Sequence, residues 1–105
     1  MMQIDESFLN KTVQLPVGQV MELRLKENPT SGFRWSIAAE GEPSCKVVGD
    51  IFEPGERRPG AGGEHVWQIK AVRVGACEMQ LLYRRPFEVD ARPAQSFTFH
   101  VQVTE

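Results

Sequence analysis

Between Ser96 and Val103 apolar and polar side chains alternate without a break: Phe97, Phe99, Val101 and Val103 against Ser96, Thr98, His100 and Gln102. Only an extended strand sends successive side chains to opposite faces, so this period commits the segment to a sheet with one face buried. The same period recurs upstream. Met21, Leu23 and Leu25 alternate with Glu22, Arg24 and Lys26. Trp67, Ile69 and Ala71 share one face, and Val66, Gln68, Lys70 and Val72 the other. Cys77, Met79, Leu81 and Tyr83 alternate with Glu78, Gln80, Leu82 and Arg84. Shorter strands are expected at Val13 and Leu15, at Trp35 and Ile37, and from Val47-Val48 to Ile51-Phe52, where Gly49 interrupts the run. Pro or Gly breaks most windows that could otherwise hold a helix.

About seven strands separated by turn signals predict an all-β fold, an immunoglobulin-like two-sheet β-sandwich. The Cys…Trp…Cys spacing of antibody domains is not met, because Trp35 precedes both Cys45 and Cys77. At 105 residues the chain is read as a single domain, residues 1–105. A chain of this size buries roughly two-thirds of its unfolded surface, enough for a core without staples. The two cysteines are too few for a disulfide framework and lack metal-ligand spacing, so they read as small buried apolar side chains. A single bridge is open to them if the protein is exported.

Charge and hydropathy exclude several functions. A net charge of −2 argues against nucleic acid as the main partner, because neutralising phosphates needs a basic excess. No apolar run approaches the length of a membrane span. Met1-Met2-Gln3-Ile4-Asp5-Glu6 carries an acidic pair and no apolar stretch, and does not read as a secretory signal. As written, the chain is expected in the cytoplasm, or in an exported compartment if a leader was removed. No cofactor and no metal site is expected.

Three inter-strand segments are over-specified for plain turns. The first is Asn28-Pro29-Thr30-Ser31-Gly32-Phe33. Pro29 fixes its own φ and pushes Asn28 towards extended backbone. The Asn28 side chain can bond to the backbone two residues on, and Gly32 permits a positive φ where the chain reverses. A narrow, stiff loop tipped by Thr30-Ser31 results. The second is Gly60-Ala61-Gly62-Gly63, whose lack of side chains lets backbone approach another surface closely. It is not a phosphate loop, since no Gly-Lys-Ser/Thr follows. The third is Arg85-Pro86-Phe87, where Pro86 ends ladder pairing and leaves Phe87 a candidate for exposure. An exposed Phe beside Arg has the composition of an interface anchor. Basic pairs, Arg57-Arg58 and Arg84-Arg85, flank two of these loops. In an immunoglobulin-like topology the three connections can gather at one end.

In that order, the three segments resemble the signature of the chagasin family of cysteine peptidase inhibitors: Asn-Pro-Thr-Thr-Gly-aromatic, Gly-X-Gly-Gly and Arg-Pro-Trp/Phe. Ser31 stands where the second Thr is more usual, and Phe87 where many members carry Trp. The resemblance covers nearly the whole chain. It implies a reversible inhibitor of papain-like cysteine peptidases, monomeric when free, that is not itself an enzyme. The first loop would occupy the catalytic cleft, with the other two bracing its walls. Two other readings stand beside it. An enzyme would need Cys77 paired with His65 or His100, but no oxyanion loop or orienting carboxylate follows from the sequence. An adhesion or scaffold module without inhibitory activity is the other, since sandwich folds host many functions.

Overall fold

The computed structural model describes residues 2–55, 62–88 and 92–105. In chain order its strands are β1 (Met2–Ile4), β2 (Thr12–Pro16), β3 (Val20–Glu27), β4 (Arg34–Glu40), β5 (Cys45–Pro54), β6 (Gly63–Ala71), β7 (Gly75–Arg84) and β8 (Gln95–Thr104). They form two four-stranded sheets, ordered β1-β3-β6-β5 and β2-β8-β7-β4. Strand β1 lies parallel to β3, and β2 parallel to β8; every other pairing is antiparallel. The expected all-β sandwich therefore forms, with one strand more than the pattern suggested. Met2-Gln3-Ile4 is the addition, being too short to display a period.

Alternation sets the register. Met21 lies opposite Ile69 and Leu23 opposite Trp67, while Met79 meets Phe99 and Leu81 meets Phe97. All eight side chains are buried and belong to one core, together with Val13, Leu15, Val101 and Val103. A one-residue slip in any of these pairs would turn its whole apolar set outward, so the register is strongly specified.

Strand β5 runs unbroken through Gly49, where an interruption was expected. Its register on β6 shifts between Val47 and Gly49. This bulge reverses the parity of everything after it. Cys45 pairs with Ala71 and Val47 with Ile69 on the core side, but beyond the bulge Asp50, not Gly49, lies opposite Trp67. A bulge re-aims side chains in this way without ending the strand. Val66 is buried although it faces outward, directly opposite Arg24 and Ile51 on the neighbouring strands. Arg24 binds Glu22, Glu53 and Glu64 at 2.6, 2.7 and 3.2 Å, forming a charged cover on that face.

At one pole lie the β2–β3, β4–β5 and β6–β7 connections. They are tied by the Gly18 amide to the Ala71 carbonyl at 2.7 Å and by the Val72 amide to the Ser44 carbonyl at 2.8 Å. Cys45 of β5 and Cys77 of β7 sit towards this pole, one on each sheet, as free thiols with their Sγ atoms 3.3 Å apart. Burial, then the contact with Cys77, pushes the Cys45 thiol up to about 12. Only the thiolate is nucleophilic. At pH 8 iodoacetamide should therefore label the more exposed Cys77 first and leave Cys45 unmodified until the protein is unfolded. Peptide mass spectrometry of the folded and urea-denatured protein checks this, and while the protein stays folded Cys45 should become reactive only as the pH approaches 12.

Candidate functional site

The opposite pole carries the β3–β4, β5–β6 and β7–β8 connections, which contain the three singled-out segments. Residues 29–31 make one 3₁₀ turn, closed on both sides by the chemistry of the flanking residues. Asn28 Oδ1 accepts from the Thr30 amide at 3.2 Å and from the Thr30 hydroxyl at 2.7 Å. The Asn28 carbonyl accepts from the Ser31 amide at 3.1 Å and its hydroxyl at 2.7 Å. Gly32 donates its amide to the Pro29 carbonyl at 3.0 Å and sits in the left-handed region at φ +84°. Ser31 Oγ also accepts from the Phe33 amide at 3.2 Å. The hydroxyls of both tip residues thus serve the loop itself, while Thr30 and Ser31 stay exposed.

The other loops stand on either side. A Cβ placed on Gly62 would lie 3.2 Å from the Glu27 carbonyl and 3.6 Å from Asn28 Cβ, so this glycine abuts the entrance of the first loop. Gly63 admits no side chain at all, because its Cβ would lie 2.1 Å from the Glu53 carbonyl. Gly60 and Ala61, with Arg57 and Arg58, lie outside the described residues. On the other flank, a Cβ on Gly32 would come within 3.4 Å of the Phe87 ring. Phe87 itself is 72% exposed, so it projects from the surface and is no lid on the core.

Arg85 links the first loop to the third. Its guanidinium lies 4.5 Å over the Phe33 ring, its Nε donates to the Ser31 carbonyl at 3.4 Å, and its Nη1 pairs with Glu88 at 3.2 Å. Below it, Phe33, Tyr83 and Trp35 form an aromatic ladder with centroids 5.4 and 4.8 Å apart. Such ring pairs contribute stability beyond the area they bury.

The neck of the first loop holds Glu27, which the sequence did not single out, and His65, which entered there only as a partner for Cys77 in the enzyme alternative. Glu27 is buried at 2% exposure, and its carboxylate accepts the Trp35 amide at 2.6 Å. The same carboxylate meets His65 Nδ1 at 3.1 Å. His65 Nε2 contacts Asp50, and its ring stacks on Trp67 at 4.0 Å. A signal for Glu27 was present: it continues the inward parity of Met21, Leu23 and Leu25. A carboxylate in that series requires a partner. His100 contacts Glu78 at 3.2 Å, so each histidine is engaged by carboxylates and Cys77 faces Cys45. Among the described residues no cluster of three or more His, Cys, Asp or Glu could hold a metal ion.

The family model for chagasin family peptidase inhibitors (I42) matches residues 14–101. The chain belongs to the chagasin family. It is 32% identical to amoebiasin-1 of Entamoeba histolytica over 104 residues, covering 97% of this chain and 99% of that protein. Chagasin of Trypanosoma cruzi is 27% identical over 96 residues, covering 87% of each chain. The crystal structure of a cysteine protease inhibitor from Entamoeba histolytica superposes with a TM-score of 0.86 at 23% identity, covering 98% of this chain and 95% of that one. The family consists of peptidase inhibitors, and this chain is an inhibitor and not an enzyme.

Within this frame, Gly32 is the residue whose backbone the loop cannot reproduce with any other side chain at low cost. A Gly32→Ala change forces an L residue to φ +84° against the Phe87 ring. It should lower unfolding free energy by about 1–2 kcal/mol, the usual left-handed penalty. Urea unfolding of the two proteins measures it, and an unchanged midpoint would contradict the described loop.

Proposed function

We propose that this inhibitor closes the active-site cleft of papain-like cysteine peptidases with its three-loop pole, reversibly and by excluding substrate. Thr30 and Ser31, carried by Asn28, Pro29, Gly32 and Phe33, enter the cleft nearest the enzyme's thiolate. Gly60, Ala61, Gly62 and Gly63 brace one wall; Arg85, Pro86 and Phe87 brace the other. The observation that carries the reading is the contact of the first loop with Gly62 on one side and with Arg85 and Phe87 on the other.

A rim already assembled loses little conformational entropy on docking, and preorganisation separates tight complexes from weak ones more than area does. Protease–inhibitor interfaces bury about 1,600 Å² in total, within the reach of three such loops. Resistance to cleavage follows from the same hydrogen bonds. The Asn28 and Pro29 carbonyls are held by donors inside the loop and not offered in an extended segment. Attack on a peptide carbonyl requires a near-attack geometry that this turn does not adopt.

Titration of papain and of a cathepsin L-like enzyme with the purified domain tests the function, with stoichiometric, sub-micromolar loss of activity expected. Phe87→Ala should weaken inhibition by about 1–3 kcal/mol, as for an interface anchor. Because Phe87 is 72% exposed, the same change should leave thermal stability untouched. Long incubation with the enzyme, followed by mass spectrometry, should show an intact chain between residues 28 and 33. Accumulating cleavage there would refute the proposed resistance.

A further inference from the structure

The β5–β6 and β7–β8 loops are hairpins, so ladder hydrogen bonds between paired strands hold their ends together. The first loop has no such support, because β3 belongs to one sheet and β4 to the other. Its two ends are joined instead by side chains. The Glu27 carboxylate accepts the Trp35 amide at 2.6 Å, and Trp35 Nε1 donates to the Lys26 carbonyl at 2.9 Å. We infer that Glu27 is a positioning residue for inhibition, a clasp that fixes the neck of the cleft-entering loop and is itself held in place by His65. This inference rests on the inhibitor reading above and adds residues to it that make no contact with the peptidase.

Three observations converge on the clasp. Glu27 is 2% exposed, and a buried carboxylate is tolerated only when paired and hydrogen-bonded. His65 supplies the partner through Nδ1, and its other nitrogen is held by Asp50. Asp50 reaches that face only because the β5 bulge reverses the parity of the strand after Val47. The imidazole stacks on Trp67 at 4.0 Å, which fixes the ring plane from the core side. The clasp is therefore anchored to the adjacent strand β6, through it to β5, and to the core, and Glu27 Oε2 meets both the Trp35 amide and His65 Nδ1.

Stopped-flow kinetics with papain, on three variants, test it. Glu27→Gln keeps an acceptor for the Trp35 amide and should inhibit within about threefold of the wild type. Glu27→Leu removes the acceptor and should raise the dissociation rate by about tenfold or more with little change in association. Equal inhibition by the wild type and Glu27→Leu overturns the inference, as does equal weakening by Gln and Leu. Should Glu27→Leu fail to fold, Glu27→Asp decides: it keeps the charge but falls a methylene short, and unchanged inhibition by it overturns the clasp. Amide hydrogen exchange at Gly32 gives a readout independent of any peptidase. Its protection should be lost in Glu27→Leu and retained in Glu27→Gln. If the wild-type chain leaves papain active, the inhibitor reading fails alone; unchanged Gly32 protection in Glu27→Leu then overturns the clasp separately.

Discussion

Two sheets share one apolar interior, and the parity of each strand decides which side chains enter it. Leu23 and Trp67 come from one sheet, and Leu81 and Phe97 from the other, each held opposite its partner by the ladder. Burial of such side chains is the main favourable term in folding. Parity also fixes where the strands end, and so where the loops begin. The turns at the far pole are tied to one another through Ala71 and Ser44, which leaves the other four connections, β1–β2 and the three loops, together at one end.

At that end the physical problem is different. A loop that must enter a narrow cleft has to be thin, yet a thin loop has little surface with which to hold its own shape. Here the segment after β3 solves this with hydrogen bonds inside the loop, through Asn28, Ser31 and Gly32. Arg85 adds a bridge to the neighbouring loop, using charge, ring face and a backbone carbonyl at once. Phe33, Tyr83 and Trp35 continue that support down to the core. Rigidity is thus carried from the interior to the tip in an unbroken series of contacts.

The carboxylate at the loop's neck shows how a polar group can be used where ladders fail. Between two sheets there is no shared hydrogen-bond register, so only a side chain can span the gap between Glu27 and Trp35. Burying that side chain obliges the fold to provide His65 and, behind it, Asp50. A defect in the alternation of β5 makes the last of these contacts possible.

The strands, their inward faces and the turn chemistry of residues 28–33 were legible in the sequence because each depends on neighbours a few positions away. Alternation reports burial directly, and Asn28, Pro29 and Gly32 act on the backbone within their own turn. The order of the motifs likewise pointed to the family. What the chain alone did not disclose was longer in range. Strand β1 is too short to carry a period, and the bulge in β5 looks like an interruption until β6 lies beside it. The membership of β3 and β4 in different sheets and the pairing of Glu27 with His65 each join residues distant in sequence. Only packing decides those, because a strand's own pattern says which face is buried but not which partner will cover it.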